Sequence, residues 1–225
     1  HIHVEDDGKA LWIATAGGLV KYDLETGQHR LFGQEQTDGE LQVIDRFVTS
    51  LARAPTGELL VTSASGVDVI DTENMRTVTS YRNDGSSDFL PGVVWTVFVD
   101  SQEDVWFGSM SGAVKMDWQT RKSELYIHDD EDPNTIVEGQ VRSFIEDDMG
   151  NFWIGSTGGL TRLDKKTGVI KRYYNEAGNP NSLGASAVWS LAIDEDGSLW
   201  AGTDPVAYTH RRCRRTTLCR SRGAR

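Results

Sequence analysis

The chain has 225 residues, 38% hydrophobic and 25% charged, a balance that suits a soluble globular protein and argues against disorder. The formal net charge of −11 divides unevenly: residues 1–203 carry 16 Lys/Arg against 33 Asp/Glu, whereas residues 204–225 carry seven Arg against one Asp. That acidic body repels a phosphate backbone and argues against a nucleic-acid partner, while both cysteines, Cys213 and Cys219, lie in the basic stretch, which excludes a disulfide framework or thiolate metal site before it.

No apolar run approaches the roughly 20 residues that cross a bilayer, and His1 does not open a basic-then-apolar leader. Taken in chain order, five short segments align: LWIAT at 11–15, LLVTS at 59–63, VWFGS at 105–109, FWIGS at 152–156 and LWAGT at 199–203. Their second residues, Trp12, Leu60, Trp106, Trp153 and Trp200, are 48, 46, 47 and 47 residues apart. Other residues keep the same step. Gly18, Gly66, Gly112 and Gly159 follow their anchors by six residues, and Asp23, Asp71, Asp117 and Asp164 follow by eleven. An aromatic (Phe32, Tyr81, Tyr126, Tyr173) comes 20 or 21 residues after each of the first four anchors.

Within a unit the hydrophobic period is two. The segment 188–194 predicts an innermost strand, 198–203 a second, and, in the preceding unit, 159–164 and 169–174 predict a third and a fourth. The breaks hold Gly, Asp or Asn, residues that tolerate tight-turn geometry. Four short antiparallel strands recurring every ~40–50 residues are the pattern of a β-propeller. The predicted fold is therefore all-β: four four-stranded blades and the start of a fifth over residues 1–203, with a basic, non-repeating tail over 204–225. The anchor tryptophans are expected to pack between neighbouring sheets. The glycines are expected to serve turns or close backbone approach, and the four aspartates to accept backbone N–H groups in the turns that follow.

The residues Val141, Asp147, Gly150, Trp153, Gly155, Ser156 and Gly159 carry a pattern that resembles the two-component regulator propeller repeat. Val188, Asp194, Gly197, Trp200, Gly202 and Thr203 carry it as far as the repeat runs. The third unit has Glu103 at the turn glycine, the first has Gly8 one place early with Lys9 at the expected position, and the second departs furthest, with Ala54 and Leu60. The connectors 130–140 and 177–187 also resemble that family's.

The resemblance implies a bacterial, periplasmic or otherwise extracytoplasmic sensor of signal transduction. It further implies a usually seven-bladed parent, roughly 330 residues at this repeat length, joined to a histidine kinase or diguanylate cyclase output domain and dimeric as a receptor. It implies oligosaccharide as a ligand class. The remaining blades and that downstream domain would be partners of this fragment. An arc of blades also leaves edges and apolar faces open, so self-association is expected.

After Thr203 the repeat stops, with Val206 and Arg211 where Gly and Asp are expected. A change of reading frame near Asp204 accounts for the break, since Pro-Val-Ala-Tyr at 205–208 has codons that also permit Gly-Gly-Leu in a shifted frame. A native tail without function and an Arg-rich arm for anions are the alternatives. Cys213, Cys219 and His210 match no common zinc spacing.

No nucleophile elbow, Walker loop, zinc-protease helix or dinucleotide fingerprint occurs, and no cofactor is expected. His128 with Asp129, Asp130 and Asp132 lacks the closing glutamate of a calcium loop and is expected to be a solvated acidic loop. The pairs Asp6–Asp7 and Asp147–Asp148 are expected in turns.

One position per unit varies: the residue after the first valine of the innermost strand is Thr49, Trp95, Arg142 and Trp189. Aromatics with an arginine suit sugar stacking and anion contacts, so Trp95, Arg142 and Trp189 are the candidate ligand-binding residues. The expected function is ligand sensing or subunit docking without catalysis. A propeller lyase similar to the streptogramin lyases and a protein-interaction scaffold are the alternatives.

Overall fold

The computed structural model describes residues 1–5, 7–33, 41–85, 92–204, 211–214 and 217–220, with the chain from Asp204 onward described by its backbone alone. All regular structure among them is β. The first sheet contains β1 (Ile2–Val4), β2 (Ala10–Thr15), β3 (Gly18–Asp23) and β4 (His29–Phe32). The second contains β5 (Val48–Arg53), β6 (Leu59–Ser63), β7 (Gly66–Asp71) and β8 (Arg76–Arg82). The third contains β9 (Val94–Val99), β10 (Asp104–Ser109), β11 (Gly112–Asp117) and β12 (Ser123–Tyr126). The fourth contains β13 (Val141–Glu146), β14 (Asn151–Ser156), β15 (Gly159–Asp164) and β16 (Ile170–Tyr173). The last contains β17 (Ala187–Ile193), β18 (Leu199–Asp204), β19 (Arg211–Arg214) and β20 (Thr217–Arg220).

Each sheet is an antiparallel meander in sequence order, the β-propeller blade that the spacing predicts. The last sheet goes beyond the predicted strand pair, because β19 joins β18 with Leu199 opposite Cys213. The strands fall into two compact units, His1–Met110 with Val114–Glu124, and Ser111–Ala113 with Leu125–Arg225.

The anchor tryptophan does two jobs. Its ring fills the space between sheets: Trp12 is buried against Val48, Leu51, Leu59 and Val61 in the first unit, and Trp153 packs with Val188, Leu199 and Ala201 in the second. Its indole N–H donates to a carboxylate that opens the turn between the first two strands. Trp106 donates to Asp100 at 2.9 Å, Trp153 to Asp147 at 3.1 Å and Trp200 to Asp194 at 2.9 Å. The same carboxylate caps its own turn, Asp147 accepting from the backbone N–H of Met149 and Asn151. The early Gly8 reflects a turn one residue longer, closed by Glu5 N–H to the Ala10 carbonyl, and there the longer Glu5 side chain reaches Trp12 at 2.8 Å.

The second sheet replaces both partners at once. Ala54 and Leu60 lie buried in one cluster with Trp118, which follows β11. Trp118 fills this space from the adjacent sheet, donating its indole N–H to Thr56 at 2.7 Å under the guanidinium of Arg121.

Glycine at the start of the third strand is a close-approach residue. Gly18 has φ 138°, and a Cβ there would stand 2.4 Å from the carbonyl oxygen of Phe32. Gly66, Gly112 and Gly159 stand in the same way over Tyr81, Tyr126 and Tyr173, which couples the glycine to the aromatic later in its unit.

Two stability predictions follow from the turn. Glu103 occupies the turn-glycine position with φ 66°, so Glu103→Gly should stabilise the protein by about 1 kcal/mol and raise Tm by about 3 °C. Trp153→Phe keeps an aromatic ring but removes part of the buried indole together with the N–H that Asp147 accepts; it should cost at least about 1–3 kcal/mol in urea unfolding.

Candidate functional site

The innermost strand of four of the five sheets breaks its ladder at one residue. Val141 pairs with Ser156 and Ser143 with Gly155, so the register skips Arg142. Trp189 is skipped in the same way between Val188 and Ser190, Thr49 between Val48 and Ser50, and Trp95 between Val94 and Thr96. Each is the extra residue of a β-bulge, a device that re-aims one side chain while bending and twisting the strand locally. Glycine on the second strand makes room: a Cβ on Gly155 would meet the Ser143 hydroxyl, and one on Gly202 the Ser190 hydroxyl, each at 2.4 Å.

Neighbouring bulges meet. In the second unit the Arg142 guanidinium lies over the Trp189 ring, 4.9 Å from its centroid, and donates to the Gln140 side chain. Burial disfavours the charge on Arg142, whereas Trp189 is 43% exposed. In the first unit the Thr49 hydroxyl donates to the carbonyl of Val94, beside Trp95, at 2.9 Å. Trp95 is half-buried at its own bulge in β9. The structure thus brings Arg142 and Trp189 together and adds Gln140, which the repeat pattern did not single out.

The recurrent aspartates are turn residues spread one per sheet. Asp23 accepts from the backbone N–H of Glu25 and Thr26, Asp71 from Glu73 and Asn74, Asp117 from Gln119 and Thr120, and Asp164 from Lys166 and Thr167. These bonds hold all four carboxyls below their usual range, Asp71 at about 2, where Asn74 and then Arg76 favour the anion.

The acidic connector is organised from within. His128 bridges the Ile136 carbonyl and Asp130, while the Arg172 guanidinium donates to the carbonyls of Asp129, Asp132 and Thr135. Among the described residues no cluster of His, Cys, Asp or Glu is placed to hold a metal ion. Asp6, Val206 and His210 lie outside the described residues, and Cys213 and Cys219 are described by backbone only. No helix among the described residues is long and apolar enough to cross a membrane.

Residues 182–204 match the family model described as Two component regulator propeller. That stretch is similar to the two-component regulator propeller repeat. The matched stretch runs from the buried Ser182 and Leu183 through the Trp189 bulge and the Asp194 turn to the Trp200 anchor. No curated protein matches the chain.

Among solved structures, the propeller is similar to the extracellular domain of a protein described as a hybrid two component system of B. thetaiotaomicron, with 19% identity, a TM-score of 0.72 and coverage of 90% of this chain and 26% of that one. It is also similar to a catalytically inactive virginiamycin B lyase from Staphylococcus aureus with quinupristin (12% identity, TM-score 0.69, 98% and 68% covered). A third is PorZ, a surface component of the type-IX secretion system of Porphyromonas gingivalis (18% identity, TM-score 0.60, 89% and 31% covered). The chain spans about a quarter of the length of the two-component extracellular domains it matches.

One propeller carboxyl titrates against the trend. Asp68 on β7 is fully buried and accepts from the Ser80 hydroxyl and from Ile44 N–H at 2.8 Å, tying the connector before β5 to the sheet. Burial pushes it up from 3.8 to about 6. Its favourable contribution is full below pH 3.8 and is lost as pH rises through about 6. Asp71 acts oppositely, stabilising above pH 3.8 and losing that effect as pH falls through about 2. Asp68→Asn should therefore flatten the stability profile between about pH 4 and 6, and Asp71→Asn its acid limb, in urea unfolding at stepped pH. An unchanged slope in either variant would contradict the assignment.

Proposed function

We propose that this chain is the ligand-sensing module of an extracytoplasmic bacterial receptor, acting through binding and without catalysis of its own. The observation that carries this reading is the meeting of two bulge residues, Arg142 and Trp189, with the tryptophan 43% exposed. An exposed indole beside a guanidinium offers a stacking surface and a bidentate donor, the pair that recognises a ring bearing hydroxyls or an anionic group. The recurring two-component context among similar structures supports the sensor role. In the parent receptor, further blades, a dimer partner and a signalling domain complete the device on this reading.

The non-catalytic reading rests on chemistry. Thr49, Trp95, Arg142 and Trp189 include no carboxylate or imidazole, the groups that most often move protons near neutral pH. Fold similarity to streptogramin lyases supports the second reading, and it predicts turnover of such a substrate.

The chain should be titrated with an oligosaccharide panel by calorimetry and tryptophan fluorescence. One class is expected to bind, and Trp189→Ala and Arg142→Ala should each weaken binding at least about tenfold. Binding that survives both substitutions, or no binding by any oligosaccharide, would sink the reading. Product formation from a streptogramin would replace it with the lyase.

A further inference from the structure

The connector that follows β12 and the one that follows β16 are built alike. Pro133, Asn134, Thr135 and Ile136 in the first stand where Pro180, Asn181, Ser182 and Leu183 stand in the second. The Thr135 hydroxyl accepts the Asp129 N–H and donates toward the Asp129 and Asp132 carbonyls. Ser182 does the same with the Glu176 N–H and the carbonyls of Glu176 and Asn179. Each loop is then closed by the residue just before it. Asn175 donates its side-chain amide to the Leu183 carbonyl, and His128 its Nδ1–H to the Ile136 carbonyl at 2.8 Å.

The two closing residues differ in one respect: the asparagine donor is fixed, whereas the histidine titrates. Nε2 of His128 lies 3.0 Å from Oδ1 of Asp130, so both ring nitrogens face oxygens that only accept. A neutral imidazole has one N–H and satisfies one of them; the imidazolium has two and satisfies both. Two charges act on the ring. Asp130, on the loop, favours the imidazolium, and Arg172, on β16, opposes it while donating to the carbonyls of Asp129, Asp132 and Thr135. The Ile136 carbonyl first, and Asp130 second, hold the ring above its ordinary value of 6.5.

We propose that His128 is a protonation clasp on this connector, closing the loop with two bonds when the ring is charged and with one when it is neutral. A bond from a charged donor is roughly twice as strong as a neutral one, so deprotonation removes the Asp130 bond and weakens the Ile136 bond. The clasp is complete below 6.5 and is lost as pH rises through the raised folded value. Loosening reaches residues 129–135, where Arg172 is seated. It stops at Val137, whose N–H is held by Thr161 on β15. Nothing in the clasp depends on the ligand reading above.

The His128 ring should be followed by NMR in the full chain from about pH 5 to about pH 8.5, with hydrogen exchange of the Asp129 amide read as a protection factor. The ring is expected to titrate above 6.5. Asp129 protection should fall about fivefold as it does so. The Glu176 amide, in the loop that Asn175 closes, should show no such change.

Two variants separate a clasp from a residue that merely fills space. His128→Asn copies the neighbouring loop and should keep Asp129 protected with no pH dependence. Asp130→Asn keeps the Ile136 bond and should bring the ring's titration down. A ring that titrates at or below 6.5 in the parent, equal Asp129 protection at both ends of the pH range, or a pH dependence that survives His128→Asn overturns the proposal.

Discussion

The hydrogen bond between a turn carboxylate and an anchor indole ties the local structure of each sheet to its packing. A buried carboxylate such as Asp147 is costly unless its lone pairs are used. Here they are used by two backbone N–H groups of its own turn and by Trp153. The turn orients the carboxylate, the carboxylate orients the indole, and the indole ring becomes the surface on which the next sheet is laid. Where the turn is longer by a residue, the acid is longer by a methylene: Glu5 does for Trp12 what aspartate does elsewhere. Where the bond is absent, both ends are absent, because Ala54 or Leu60 alone would strand the other partner without its hydrogen bond. The volume is then filled by Trp118, and Thr56 takes its N–H.

The same strands that are held so firmly carry the one position free to differ. In β13 the buried residues are Val141 and Phe144, three apart, where a regular strand would place them two or four apart. The surplus residue between them belongs to neither the ladder nor the core, which is why Thr49, Trp95, Arg142 and Trp189 share a place without sharing a chemistry. On the proposed reading, a side chain at a bulge changes what the surface recognises and leaves the valine before it in position, so recognition and stability are separated by one residue of offset.

The strands, their turns and the anchors were legible because each is set by residues within about ten positions. The period of two, the turn glycines and the 47-residue step are local signals that sum over repeats. The bulge left a trace as well, in the spacing of Val94 to Val97 and Val188 to Leu191, although the contact of Arg142 with Trp189 had to be seen in space. Trp118 was not legible, since its partner Thr56 is 62 residues away and nothing in the turn after Asp117 announces it. Nor was Arg172 as the organiser of the acidic connector, because its acceptors are backbone carbonyls, which every residue supplies. The strands beyond Asp204 illustrate the same limit. The repeat's residues end there, but pairing of β19 with β18 uses main-chain groups and does not need them.

The candidate site and the packing between sheets share a lever. Arg142 sits between Val141 and Phe144 on β13, and Trp189 directly follows Val188, which packs under Trp153. A ligand that draws the guanidinium and indole together therefore loads the contact between β13 and β17, the seam that the Asp147–Trp153 bond holds in place. Because that seam is packed at solid-like density, it resists small continuous displacement and passes strain along the sheet. On the proposed reading, a binding event at two bulge residues is felt first as a change in how tightly two neighbouring sheets are pressed together, a mechanical signal that needs no moving loop.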